Sequence, residues 1–219
     1  MISKWISKDF PYRPGAKRTG DRFGLRKDCI GSPFHAGDDR SGRPDTIVMP
    51  FDGTMIWKLA DGTQWGSILR LIPDDSPETE IQVAHTVRID GLSGELCYWM
   101  KQGEPLHVKA GALGYGVGAH THTEWVIKYT KENYAHFTKK GTWIRDNNSL
   151  NSEYIGKHCK EYSLNEREYT KRLADQCNTW GIAEANTTFC VRSSLPGYRL
   201  PIWGAGAVII ADPMLYLDI

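Results

Sequence analysis

The chain has 219 residues, a formal net charge of +1, 40% hydrophobic and 24% charged residues. That length suits one large domain, or a catalytic domain with an appendage, and buries a core without disulfide or metal staples. With no basic excess and no block of like charges, the chain carries no electrostatic footprint for nucleic acid.

The opening MISKWISKDFPYRPG is interrupted by Lys4, Lys8 and Asp9, so it does not read as a secretory signal. Short runs of β-branched and aromatic residues then alternate with Gly, Pro, Asp and Asn. They predict strands over Thr46 to Met49, Thr54 to Lys58, Ser67 to Leu71, Ile81 to Val87, Leu96 to Met100 and Thr123 to Lys128. Phe51-Asp52-Gly53 and Asp61-Gly62 are turn material between them. This spacing predicts a mainly β, antiparallel sandwich or partly closed barrel.

A soft boundary falls in the polar segment 131–152. Beyond it, one helix is expected. Ser163 and Glu166 fit a capping box, and Tyr169, Leu173, Cys177 and Trp180 recur at spacings of four and three on one stripe. Gly181 follows as a C-cap. The stripe reads as packing. Ala207 to Ala211 reads as a buried strand that Pro213 limits. The apolar stretch Ile202 to Ala211 is far short of the roughly twenty residues a membrane span needs. The expected division is an N-terminal extension over 1–21, a β-rich domain over 22–130, and a C-terminal elaboration over 131–219 packed on it.

The five cysteines, Cys29, Cys97, Cys159, Cys177 and Cys190, form no C-x-x-C pair, which argues against a disulfide framework and a thiolate metal site. The histidines are more informative. His35-Ala36-Gly37-Asp38-Asp39 spaces an imidazole and a carboxylate, both good zinc ligands, around a glycine that lets the backbone bend. His120-Thr121-His122 puts two imidazoles on one face of a strand. With seven histidines, either pattern alone is weak; their order on a β-rich chain strengthens both. His107, His136 and His158 have no partner pattern. The tryptophans, Trp65 and Trp125 among them, can form a sugar platform but more often fill cores.

From about Arg22 to Trp125 the chain resembles the catalytic domain of the lysostaphin and LytM zinc endopeptidases. The landmarks, in order, are Phe23-Gly24-Leu25-Arg26, His35 to Asp39, Pro50-Phe51-Asp52-Gly53-Thr54, Ala84-His85 and His120-Thr121-His122-Thr123-Glu124. Val108 to Gly111, followed by Leu113-Gly114, is similar to the turn before the last motif. The resemblance implies one zinc ion on His35, Asp39 and His122, with His85 and His120 as unligated catalytic histidines. It also implies a small antiparallel β-domain with a groove over the metal, and hydrolysis of peptide bonds in bacterial peptidoglycan. The expected site of action is the cell wall, with a phage tail or lysis role and tail-protein partners as the narrower form.

A catalytically silent structural or binding module of the same fold is the alternative; the full ligand set favours the enzyme. Threonine follows both histidines of the last motif where the family has apolar residues, a change in packing. The segment 86–107 is longer than the family's link and is expected to reshape the groove. Glu124 either orients a ligating histidine by a hydrogen bond or is an exposed strand charge. Arg26 either steers a substrate carboxylate or, the favoured reading, sits in a structural ion pair.

Overall fold

The computed structural model describes residues 20–28, 31–40, 46–114 and 118–216. The N-terminal extension up to residue 19, with the segment read for an export signal, and Cys29 lie outside the described residues. In chain order the strands before the first helix are β1 (Gly24–Leu25), β2 (Phe34–His35), β3 (Asp38–Arg40), β4 (Thr46–Val48), β5 (Gly53–Ala60), β6 (Gly66–Pro73), β7 (Thr79–Ala84), β8 (Thr86–Arg88), β9 (Leu96–Met100), β10 (Pro105–Ala110) and β11 (Thr121–Lys128). Then come α1 (Lys131–Thr138), β12 (Trp143–Asp146), β13 (Ser149–Leu150), α2 (Ser152–Glu161), α3 (Glu166–Thr179), β14 (Ile182–Asn186), β15 (Phe189–Arg192) and β16 (Val208–Ala211).

The architecture is mainly antiparallel β. One large sheet runs β13-β12-β14-β15-β16-β11-β7-β6-β5-β9, with β3 also paired to β11. A small sheet, β4-β10-β8, and the hairpin β1-β2 complete it. Strands β12 to β16 continue the sheet outward from β11, so the chain after residue 130 shares its hydrogen-bond ladder with the chain before it.

Period-two alternation explains the two cores. Trp125 and Ile127 of β11, Ile209 and Ala211 of β16, and Phe189 and Val191 of β15 pack in one cluster with Met55, Trp57, Leu69 and Leu71. The intervening Val126, Val208, Ile210 and Cys190 pack in the other, beneath Ile155 and Cys159 of α2 and Tyr169, Leu173 and Cys177 of α3. Successive side chains of a strand point to opposite faces, so each strand feeds both layers. Trp125 is therefore core, not a sugar platform. His122 and Glu124 share the parity of Val126 and lie on the helix-covered face.

The expected helix is α3, and its stripe Tyr169, Leu173 and Cys177 is fully buried. Its cap differs from the expected one. Asn165 accepts from the Glu168 backbone N–H at 3.1 Å, while Ser163 (φ 54°) turns the chain between α2 and α3. Asn and Ser are comparable N-caps, and the later residue sits where the helix begins. Gly181 (φ 62°) has the left-handed conformation expected just past a helix end. Two further helices, α1 and α2, accompany α3 where one was expected. Both are short and polar; α1 has little apolar stripe, and α2, which buries Ile155 and Cys159, carries the helix-weakening Gly156 between them.

Helix α3 also grips the β1-β2 hairpin. The buried Tyr169 hydroxyl lies 3.1 Å from the Arg26 carbonyl and 3.0 Å from that of Pro33. Gln176 acts as a surrogate strand for Phe34: its Oε1 accepts from the Phe34 N–H at 2.9 Å, and its Nε2 donates to the Phe34 carbonyl at 2.8 Å. Replacing Gln176 by Ala leaves the buried Phe34 N–H unpaired beside His35, while the carbonyl keeps the Ser32 hydroxyl at 3.0 Å. The expected loss is about 2 kcal/mol of unfolding free energy, read from urea denaturation of metal-free protein; a variant as stable as wild type contradicts the clamp.

Candidate metal centre

His35 closes β2, and Asp39 follows in β3 after the turn at Ala36-Gly37. Strand β11 pairs antiparallel with β3 so that His122 stands opposite Asp39. The result is a convergence of three donor atoms. His35 Nε2 and His122 Nδ1 are 2.9 Å apart, His122 Nδ1 and Asp39 Oδ1 are 2.9 Å apart, and His35 Nε2 and Asp39 Oδ1 are 3.1 Å apart. Together they form a group that could hold a metal ion. Ligands about 2.0–2.1 Å from a tetrahedral ion stand about 3.3 Å from one another, so this spacing fits a small cation with little adjustment.

Gly37 is required by contact rather than by backbone bending. A Cβ there would fall 2.6 Å from His122 Cε1 and 2.7 Å from the Thr123 carbonyl oxygen. The glycine lets the turn lie directly against the histidine ring.

Each ring is held from behind. His35 Nδ1 lies 3.0 Å from the Arg22 carbonyl and donates to it, which leaves Nε2 as the lone-pair nitrogen. His122 Nε2 lies 3.0 Å from Glu124 Oε1, which presents Nδ1 to the centre. Glu124 is 3% exposed, so it is not a free strand charge. Its other oxygen accepts from Arg199, whose Nε donates to Gln82 Oε1 at 3.0 Å. Gln82 and Arg70 both donate to Glu80. Arg26 pairs with Asp21 at 2.7 Å and lies 3.6 Å from Asp39 Oδ2, so it is a structural ion pair that reaches the centre. Neither Arg199 nor Gln82 was singled out from the sequence. The available signal was polar residues at alternate positions of apolar strands: Glu80 and Gln82 in β7, with Gln82 opposite Glu124 in β11.

The electrostatics follow from this cage. Burial opposes charge on His122, but hydrogen bonds to Asp39 and Glu124 outweigh it and raise its pKa to about 9. Burial likewise works against the Asp39 carboxylate, yet the two histidines hold it well below the usual range. Glu124 is kept at about 2, with burial opposed by the charge of Arg199 and the His122 hydrogen bond. Burial lowers His35. In the metal-free protein one proton on His122 Nδ1 therefore sits where the three donors converge.

His85 interrupts the expected strand Ile81 to Val87. It adopts φ 62°, unusual for a residue other than glycine, between β7 in the large sheet and β8 in the small one. Its Nδ1 lies 2.7 Å from the Leu113 carbonyl, and its ring stands 4.5 Å from that of His120, centroid to centroid. Burial pushes its pKa down to about 4, with the Leu113 hydrogen bond working the other way and the charge of His120 adding to the fall. His120 lies just ahead of β11, bridged to Gly111, rather than on the strand itself. Trp65 is nearly buried, its ring 5.5 Å from His122 and under the Arg199 guanidinium at 3.8 Å.

These residues line a groove of about 660 Å³. The five expected metal and catalytic residues, with Arg26 and Glu124, all lie on it. Among the described residues, none of the segment 86–107 does. The far wall comes from the C-terminal third: Thr179, Trp180, Arg192, Pro196, Tyr198 and Arg199. His107 packs near Tyr98, His136 against Phe137, and His158 against Tyr162, all away from the groove.

No protein-family model and no curated sequence matches the chain. Among solved structures it is similar to a mutant catalytic domain of the prophage-encoded protein EnpA from Enterococcus faecalis. That likeness has 23% identity and a TM-score of 0.40, over 52% of this chain and 82% of that one. It is also similar to the catalytic domain of the antimicrobial peptidase lysostaphin from Staphylococcus simulans: 17% identity, TM-score 0.41, over 55% of this chain and 91% of that one. A zinc-containing peptidase from Vibrio cholerae is similar at 19% identity and TM-score 0.44, over 57% of this chain and 37% of that one.

Two measurements check the centre. A metal ion binding at His122 Nδ1 must displace the proton held there. Between pH 6 and 8, below the His122 pKa of about 9, affinity for Zn²⁺ is expected to rise about tenfold per pH unit, with about one proton released per ion in calorimetry across buffers. The same elevated pKa makes the metal-free fold gain stability below pH 6.5 and lose it as pH rises through about 9. Gly37→Ala is expected to weaken metal binding at least about tenfold while keeping the circular dichroism of the fold; unchanged affinity would sink the contact argument.

Proposed function

We propose that the chain is a zinc-dependent endopeptidase of the lysostaphin and LytM type that cuts peptide bonds of bacterial peptidoglycan. One observation carries the reading: three donors, two imidazole and one carboxylate, converge within 3.1 Å on a groove that also holds two further histidines. A three-ligand nitrogen and oxygen set suits zinc and leaves a position for substrate or water.

When bound, zinc supplies a Lewis acid that polarises the scissile carbonyl and makes water a usable nucleophile at neutral pH. The remaining work falls to the protein. His85 donates through Nδ1 to Leu113, so Nε2 is its basic nitrogen, and it is neutral at pH 7. In the proposed cycle it takes a proton from the attacking water and returns it to the leaving amine as the C–N bond breaks. His120, its ring tilted beside that of His85, hydrogen-bonds the developing charge. Glu124 and Arg22 fix the tautomers of the two ligating rings.

The test pairs zinc content with release of amino groups from peptidoglycan. Wild type is expected to hold about one zinc. His122→Ala is expected to lose both metal and turnover. His85→Asn, chosen because asparagine tolerates the left-handed backbone, is expected to keep zinc and lose about 10²–10⁴-fold in turnover. A wild type that holds zinc yet cuts no wall preparation leaves the silent structural module as the reading. One that holds no zinc at neutral pH removes the metal assignment.

A further inference from the structure

We propose that Arg192 is a specificity-determining residue that binds a carboxylate of the peptide lying in the groove. The proposal rests on the groove being the peptide site.

Arg192 ends β15 and lines the groove wall opposite the metal-binding strands. It is only 8% exposed. Its Nε donates to the Trp180 carbonyl at 2.9 Å, and its guanidinium stands 6.0 Å from the Trp180 ring. Among the described residues that is its one side-chain hydrogen bond, and no carboxylate lies within ion-pairing range. Among the same residues its two terminal nitrogens have no hydrogen-bond partner. A nine-tenths buried guanidinium is costly unless an anion meets it.

The groove has no acid to spare for it. Asp39 is engaged by His35, His122 and Arg26, and Glu124 by His122 and Arg199. The other two arginines of the groove are thus directly ion-paired, whereas Arg192 feels Glu124 only beyond ion-pairing range. Burial, and then the charge of Arg199, lower its pKa from the ordinary guanidinium value, as expected of a cation short of a counter-charge. Held by Nε, the side chain presents its outer edge as a planar fork that matches a carboxylate with two parallel hydrogen bonds. A wall peptide offers that group from two sources: its C-terminus, or the free carboxylate of a γ-linked glutamate.

The experiment uses a synthetic stem tetrapeptide in four forms: both carboxylates free, either one amidated, and both amidated. Affinity for the metal-free protein is measured by calorimetry, and KM and kcat for the zinc-loaded protein. Wild type is expected to bind one singly amidated form about 10–100-fold more weakly than the free acid, with the loss in KM rather than kcat. The form that loses affinity identifies the source. Arg192→Gln is expected to bring the acid-to-amide ratio to about one, and Arg192→Lys to keep part of it, as charge without the fork. Equal binding of all four forms by wild type overturns the proposal without any variant, and so does a preference that survives in Arg192→Gln. If wild type cuts none of the peptides yet shows an acid preference that Arg192→Gln loses, the carboxylate site stands and the hydrolytic reading falls.

Discussion

Strand β11 is gripped on both edges. β7 pairs with it from His122 to Ile127, and on the other side β3 covers Thr121–Thr123 before β16 takes over from Trp125. Because His122 stands opposite Asp39 in one ladder and Ala84 in the other, this register alone brings together the centre, its carboxylate partner and the neighbouring His85. A slip of one residue would turn His122 and Glu124 into the layer of Trp125 and Ile127 and strip Arg199 of its partner. The buried polar row resists such a slip. Arg70 bonds Glu80 across β6 and β7, and Arg199 ties Gln82 of β7 to Glu124 of β11, so the row is satisfied in this alignment.

The C-terminal third does more than cover the β-domain. Through Gln176 and Tyr169 it supplies hydrogen-bond partners to the hairpin that carries His35, through Arg199 it neutralises Glu124, and through Trp180 and Tyr198 it walls the groove. Helix α3 thus reaches the candidate metal centre by way of backbone it never covalently adjoins. This coupling follows from geometry: the helices pack on the same sheet face that the even-numbered residues of β11 present.

Much of this was legible in the sequence, and for identifiable reasons. Strands β5, β6, β9, β11 and β16 carry β-branched or aromatic runs with turn residues at their ends, and α3 carries a clear apolar stripe. His35, Asp39, His85, His120 and His122 could be picked out because chemically scarce residues recur in a familiar order. Strands of two or three residues, such as β1, β2 and β3, have no period to read; tertiary pairing alone makes them strands. The break at His85 was hidden because Ile81 to Val87 reads as one apolar run, and only the switch between sheets demands a positive φ there. Gly37 was recognised but for a local reason, whereas its true constraint is a ring from a strand far along the chain. Arg192 and Arg199 escaped notice because a lone arginine has no pattern; its meaning lies wholly in which acids it meets.

The Glu124–Arg199 contact sets a timetable for synthesis. Glu124 leaves the ribosome well before Arg199, and until the short 3-10 turn Gly197–Arg199 docks, one oxygen of a carboxylate in what will become a buried layer lacks its arginine. The nascent chain can display His35, Asp39 and His122 and still lack the arginine that backs Glu124 behind His122. That support is therefore acquired only after Arg199 has been made, so a product that stops before it carries the three donors without the arginine that backs them.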